Sequence, residues 1–242
     1  QKAIEMGANA ITIQGGEGGG HTGSVPTTVL LPQVVDAVQV PGRLDFRLDD
    51  LPAGMVSISG HKFGAAKGIG ALFVRKATPW ARWMLGGEQE RGRRAGTSNV
   101  AGAVSMAVAL EHAITTDFAR MARLRDEFER AVSMRIPDIA VLGRGSERLP
   151  NTSALVVGGI ESSALLLRLD DRGFAVSSGS ACTSGRTDPS PVLLATGLSE
   201  AQAHATIRVS LGATTSESDL SALVDVLAEE VEEVRWIDAS IR

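Results

Sequence analysis

The sequence predicts an α/β fold. Apolar, β-branched runs at residues 53–59 and 69–75 read as strands, and their near-continuous hydrophobicity favours a sheet covered on both faces. A long helical stretch runs from about Val100 to Ser133, and another starts near Ser216. Between them strand-like and helical segments alternate, the pattern of layered α/β domains.

Taken in order, residues 2–7 read as the end of a helix and Ala10 to Ile13 as a short buried strand. A glycine-dense loop follows, from Gly15 to Gly23. Residues 28–39 carry Leu30, Leu31, Val34, Val35 and Val38 at helical spacing, which predicts a helix before the strand at 53–59. Residues 86–97 form a polar loop ahead of the long helical stretch, which is expected to bend near Thr115-Thr116. Further strands are predicted at 153–157, 173–177 and 205–210, with a helix between Ser162 and Leu169. Ser216-Glu217-Ser218-Asp219 has the spacing of a capping box. It opens a last helix with Leu220, Leu223, Val224, Leu227, Val231 and Val234 on one face. The sequence contains no internal repeat and no low-complexity linker.

With 242 residues the chain can bury a real core and hold one or two domains. Its net charge of −4 and lack of a basic stripe argue against nucleic acid as a partner. No apolar run is long enough to predict a membrane span, and the first residues lack a signal pattern. The single cysteine excludes an internal disulfide framework and fits a reducing compartment, so the cytoplasm is the expected location. Gln1 in place of methionine leaves room for more chain upstream.

Two segments carry candidate chemistry. Lys62 sits in Ser59-Gly60-His61-Lys62-Phe63-Gly64, at the end of a strand-like run and before a glycine. That setting suits an amine that receives the aldehyde of pyridoxal phosphate. Cys182 sits in Ser177-Ser178-Gly179-Ser180-Ala181-Cys182-Thr183-Ser184-Gly185, which suits a nucleophile on a mobile loop. Each residue alone has a plainer reading: a solvated lysine, a small buried thiol, a helix-surface carboxylate at Asp36, a strand-end salt bridge at Arg208. His112 and His204 read as structural or solvated. The functional reading rests on the whole set occurring in order.

From about Asp36 to Trp236 the chain resembles the cysteine desulfurases, pyridoxal-phosphate enzymes that move sulfur from cysteine to an enzyme thiol. Asp36-Ala37-Val38-Gln39 matches their Asp-Ala-X-Gln motif. The resemblance implies that Asp36 keeps the cofactor ring nitrogen protonated and that Gln39 bonds the ring hydroxyl. Ser59 and His61 match phosphate donors. Thr97 matches a threonine that reaches the phosphate of a neighbouring subunit, which implies a homodimer. Arg208, in Ile207-Arg208-Val209-Ser210, matches the arginine that grips the substrate carboxylate through its planar fork. Asn151 matches an asparagine near the start of the small domain. By this resemblance L-cysteine is the substrate, Lys62 moves protons, and the Cys182 thiolate takes the sulfur as a persulfide with release of L-alanine. The sulfur would pass to an acceptor or iron–sulfur scaffold protein, since the Ser-Ser-Gly-Ser-Ala-Cys segment resembles the long-loop branch serving cluster assembly. No metal site is expected. A lysine in this role must be deprotonated to react, and burial lowers an amine's pKa toward that form.

Residues 1–38 resemble another family, the nitronate monooxygenases and related flavin enoyl reductases, which are TIM barrels. The match runs through Ala3 to Ile11, Gln14-Gly15-Gly16-Glu17-Gly18-Gly19-Gly20-His21-Thr22-Gly23 and Leu30-Leu31-Pro32-Gln33-Val34-Val35. Gln14, Gly20 and His21 are the candidate flavin-family residues. One βα unit cannot close a barrel's site, so FMN is not expected. The desulfurase family would carry a longer leading segment here, with a phosphate loop, a stacking histidine and an asparagine.

The expected organisation is therefore a nitronate-monooxygenase-like fragment at 1–38, the end of a pyridoxal-phosphate large domain at 36–117, and a small domain with the cysteine loop at 118–242. This is a partial type I pyridoxal-phosphate transferase fold, a mixed-sheet remainder plus an α+β domain, preceded by a TIM-barrel-like βα fragment. The expected function is cysteine desulfuration, weakened by the replaced N-terminal part. The rivals are a flavin-dependent fragment and a non-catalytic dimerising or partner-binding module. A related pyridoxal-phosphate lyase would leave Cys182 without a role.

Overall fold

A computed structural model describes residues 34–36, 54–76, 78–79, 81–82, 84–146, 148–179 and 189–241, with only the backbone at 34–36, 238–239 and 241. The chain divides into two compact units at Thr116–Asp117.

The described part of the first unit is built on a three-stranded sheet in the order β1 (Val34–Asp36), β2 (Met55–Ser59), β3 (Gly70–Val74). β1 runs parallel to β2, with Asp36 opposite Ser57, and β2 is antiparallel to β3. The helix expected over 28–39 is corrected here, since Val34–Asp36 is a strand. Leu30, Leu31, Val34 and Val35 fit a helical stripe, but a short apolar run fits a buried strand equally, and adjacent β-branched valines favour the strand. Met55 and Val56 are buried, whereas β3 is only partly so.

A 3-10 turn, Gly60–Phe63, follows β2 directly and ends at Gly64 in the left-handed region, φ 98°. The polar loop expected at 86–97 contains a tight turn at Gln89–Gly92, with Glu90 and Arg91 in the left-handed region, φ 52° and 58°. Helix α1 (Val100–Ile114) starts at Asn99, whose side chain accepts from the Gly102 amide. It stops at Thr115, and α2 (Phe118–Arg135) restarts at Asp117, whose carboxylate caps the Arg120 amide at 2.8 Å. The expected bend is thus a full break, made by two threonines and an N-cap aspartate.

The second unit is a four-stranded antiparallel sheet in the order β4 (Ile139–Val141), β5 (Thr152–Val157), β7 (Thr206–Ser210), β6 (Ser177–Ser178). Three helices supply most of the core with the sheet: α2, α3 (Ser162–Asp171) and α6 (Glu217–Ile241). Met121, Leu124, Phe128 and Val132 recur at helical spacing on α2 and meet Leu155, Ile207 and Val209 from the sheet. Leu220, Leu223, Val224, Leu227, Val231 and Val234 form the buried stripe of α6, as their spacing predicts. Each large side chain buried this way contributes about 1.5–3 kcal/mol. Two short helices, α4 (Pro191–Ala195) and α5 (Glu200–His204), complete the unit between β6 and β7. Ser199 and Gln202 cap α5 reciprocally, and Ser190 caps α4. β4, α4 and α5 are too short to show a periodicity in the sequence.

The capping box expected for the last helix is present. The Asp219 carboxylate accepts from the Ser216 amide at 2.9 Å, and the Ser216 hydroxyl accepts from the Asp219 amide at 3.2 Å. Hydrogen bonding from Ser216 holds the Asp219 carboxyl below its ordinary pKa. A lowered carboxyl pKa stabilises the fold above the ordinary carboxylate range, and that contribution is lost as pH falls through the lowered value. Asp219→Asn is therefore expected to melt at a lower temperature than the parent at pH 7. The gap should close in acid, as read from melting curves across pH.

Among the described residues no helix is long and apolar enough to cross a membrane, and no group of three or more His, Cys, Asp or Glu could hold a metal ion.

Candidate functional site

In the first unit the chemistry gathers at the carboxyl end of two parallel strands, where open α/β sheets bind ligands. Asp36 is the last residue of β1 and pairs in register with Ser57, two residues before the end of β2. Gln39 lies outside the described residues. Ser59 ends β2, and His61 and Lys62 lie in the turn that follows. The turn is held from both sides. The Gly60 amide donates to Ile69 O at 3.0 Å, the Ala65 amide donates to Gly60 O at 3.1 Å, and the Ala66 amide donates to the Ser105 hydroxyl of α1 at 2.9 Å. Gly60 is buried, and a Cβ there would stand 3.0 Å from Ile69 O and from the Ala65 methyl. A side chain at Gly60 would therefore force Ile69 or Ala65 to shift by a few tenths of an ångström.

His61 and Lys62 are exposed, which differs from the burial expected for a reactive lysine. The side chains of Ser59, His61 and Lys62 make no hydrogen bond or ion pair among the described residues, and Ser59 does not cap the turn it precedes. A hydroxyl, an imidazole and an amine are thus presented together with their capacity unspent. This donor set suits a ligand with one aldehyde and one phosphate. Thr97 is exposed, and its backbone carbonyl accepts from Arg94 at 3.3 Å.

In the second unit the key is strand register. Arg208 lies on β7 between Ala154 of β5 and Ser177 of β6. Its neighbours Ile207 and Val209 point into the helix-covered core, so alternation turns Arg208 to the opposite face. It is half-buried, and its guanidinium has no partner among the described residues. Asn151 is buried just before β5. Its backbone carbonyl accepts from the Leu211 amide at 2.7 Å, and its Nδ2 donates to Leu211 O at 3.4 Å. Its Oδ1 is buried with no partner among the described residues. A buried acceptor left open at this position suits a ligand donor.

Cys182 itself lies outside the described residues, but the root of its segment is fixed. The Gly179 amide donates to Thr206 O at 2.9 Å, which extends the β6–β7 pairing by one residue. A Cβ on Gly179 would come within 2.4 Å of Leu193 Cδ1 and 2.9 Å of Thr206 Cγ2. The far end of the segment returns at Ser190, which caps α4 at the Leu193 amide, 3.4 Å away. Leu193 therefore supports both ends of the cysteine segment. Gly179→Ala is expected to cost about 1–3 kcal/mol by overpacking, and Leu193→Ala in the same chain should restore part of it. Denaturant titration of the two variants checks this.

The strand predicted at 173–177 is corrected to Ser177–Ser178. Gly173, φ 85°, closes the turn after α3, with its amide on Asp170 O at 2.9 Å, and the chain straightens only after it. Sequence reasoning missed Gly60, Gly179, Ser190, Leu193 and Ser105. Two of them left a trace, a glycine directly after a strand-like run, which marks close backbone approach. Gln14, Gly20 and His21 lie outside the described residues.

The model of the family described as aminotransferase class-V matches residues 30–223. The chain belongs to the class-V aminotransferase family. It is similar to a cysteine desulfurase of Trichormus azollae, 44% identical over 205 residues that cover 83% of this chain and 51% of the relative. It is also similar to the cysteine desulfurase IscS of Dictyoglomus turgidum, 42% identical over 205 residues, covering 84% and 52%. Among solved structures it resembles a NifS-like protein from Rickettsia africae, with a TM-score of 0.73 and 27% identity, over 82% of this chain and 53% of that one. SspA, solved in complex with cysteine, is 34% identical with a TM-score of 0.59, over 74% and 50%. The mixed α/β architecture is thus that of the NifS-like type I pyridoxal-phosphate class. The chain spans about half the length of the curated relatives it matches. The class-V match starts at residue 30 and takes in Asp36, Lys62, Cys182 and Arg208.

Proposed function

We propose that this chain is a cysteine desulfurase that uses pyridoxal phosphate to move sulfur from L-cysteine to Cys182, releasing L-alanine. The observation that carries the reading is the register of β6 on β7. It sets Ser177, at the root of the Cys182 segment, directly opposite Arg208. A carboxylate held in the fork of Arg208 would bring the substrate sulfur to the strand from which the cysteine segment departs.

The roles divide by chemistry. Ser59, His61 and Thr97 would hold the cofactor phosphate, Asp36 and Gln39 its ring, and Lys62 its aldehyde. When bound, pyridoxal phosphate supplies an electron sink next to the substrate α-carbon. Lys62 Nζ would carry the proton removed from that carbon and return it toward the alanine product. The Cys182 thiolate would attack the substrate sulfur, so that a carbon–sulfur bond breaks as a sulfur–sulfur bond forms. The persulfide would then pass to a sulfur acceptor or an iron–sulfur scaffold protein. Through Thr97 the same reading expects a homodimer, and it expects a cytoplasmic setting.

Incubation with L-cysteine and pyridoxal phosphate, followed by assay of alanine and sulfide, tests the reading. Equimolar alanine and persulfide sulfur support it, and alanine without sulfur transfer to Cys182 contradicts it. Arg208→Lys is expected to raise KM for cysteine roughly 10–100-fold, the loss of one charge-assisted bond of the fork, with a smaller change in kcat.

The second reading is a non-catalytic module that dimerises or binds sulfur-transfer partners, and the exposure of Lys62 favours it. A dimer that takes up no cofactor would support it. The candidate flavin-family residues Gln14, Gly20 and His21 lie outside the described residues and precede the start of the family match at residue 30, so the flavin reading is not carried further.

A further inference from the structure

The second unit holds a concavity of about 370 Å³ that includes none of Asn151, Arg208 or the root of the cysteine segment. It lies between α2 and the loop that joins β4 to β5. Among the described residues it is lined by Arg125, Arg130, Arg144 and Arg148 against Asp126 and Glu129, an excess of two positive charges on a chain of net charge −4.

Its floor is built. Glu129 is buried and receives both amines of Arg148, at 2.7 and 2.6 Å. Arg125 is buried too, donating to Leu149 O at 2.8 Å and twice to Asp126 Oδ1, at 2.9 and 2.7 Å. These contacts occupy both oxygens of Glu129 and Oδ1 of Asp126, and leave the two outer arginines largely unspent. Arg144 gives one amine to Ser133 Oγ at 3.2 Å. Arg130 makes a 3.4 Å contact with Asp126 O and approaches Glu127 at 3.9 Å. The loop wall adds neutral donors. Ser146 N closes a turn on Gly143 O at 3.1 Å, while the amides of Arg144 and Gly145 have no partner among the described residues. Gly145 has φ 88° and open space where a Cβ would stand. Consecutive free amides around a left-handed glycine form a concave anion seat.

We propose that this concavity binds a small phosphate-bearing anion, gripped by Arg130 and Arg144 and seated on the Arg144 and Gly145 amides. The cavity is of small-ligand size, and guanidinium forks with backbone amides are the donors phosphate oxygens use. The site is built from residues of the second unit alone and does not depend on the proposed activity.

The test is a titration of the 15N-labelled chain with pyrophosphate, read at the amides of Gly143 to Ser146. Saturable shifts below about 1 mM are expected. The double variant Arg130→Ala/Arg144→Ala should bind at least about tenfold more weakly, with its melting temperature unchanged because both side chains are exposed. Arg144→Gln alone should show an intermediate loss. Shifts near Ser59 to Lys62 would report the other cradle and are read separately. The proposal is overturned if sodium chloride at equal ionic strength reproduces the shifts, if citrate binds as tightly as pyrophosphate, or if the double variant binds like the parent.

Discussion

Lys62→Ala is expected to lower the release of alanine and sulfide from cysteine by roughly 10²–10⁴-fold, the range for loss of a positioned proton-transfer group. Lys62 is the one amine on the turn that closes β2, and that turn is pinned by the Gly60–Ile69, Ala65–Gly60 and Ala66–Ser105 hydrogen bonds. None of these bonds uses the Lys62 side chain, so the variant should keep its fold and its melting temperature. Cys182→Ser is the complementary variant. It should take up pyridoxal phosphate as the parent does, yet transfer no sulfur, because a serine hydroxyl cannot accept it as a persulfide. If Lys62→Ala matches the parent, Lys62 has no part in the chemistry.

Glu129→Ala should destabilise the second unit by about 3–5 kcal/mol, the cost of leaving a buried ion pair with one partner. Glu129 has a side-chain exposure of 3% and receives both amines of Arg148, itself only 19% exposed. Hydrogen bonding to Glu129 raises the Arg148 pKa, and without that partner the guanidinium still stays charged because arginine is protonated at any ordinary pH. Urea unfolding followed by circular dichroism checks the figure, and a shift under about 1 kcal/mol would mean that water already reaches the pair.

Legibility followed the length and periodicity of each element. The Leu220–Leu223–Leu227–Val231 stripe could be read because a helix of this length repeats its pattern several times. The Ser216–Asp219 capping box was readable because its donors and acceptors are set by local spacing. Val34–Asp36 was misread as helix because three strand residues fit either period, and only pairing with β2 decides between them. The candidate residues were visible through the family motifs around Asp36, Lys62, Cys182 and Arg208. Their supports were not. Gly60 matters because of the Ile69 carbonyl, and Gly179 because of Leu193 and Thr206, contacts made across the fold that no local pattern encodes. The arginine concavity was invisible for the same reason. Arg125 and Arg130 are on α2, Arg144 and Arg148 on a loop, and only the packing of α2 beside β4 brings them together.

The central claim is that the turn after β2 receives pyridoxal phosphate on Lys62. The most direct measurement is to incubate the chain with pyridoxal phosphate, reduce with borohydride, digest, and locate the cofactor by mass spectrometry. The account predicts one labelled peptide, containing Lys62, and no label in Lys62→Ala. Label spread over Lys2, Lys67 and Lys76, or an unlabelled Lys62 in a folded chain, would contradict it.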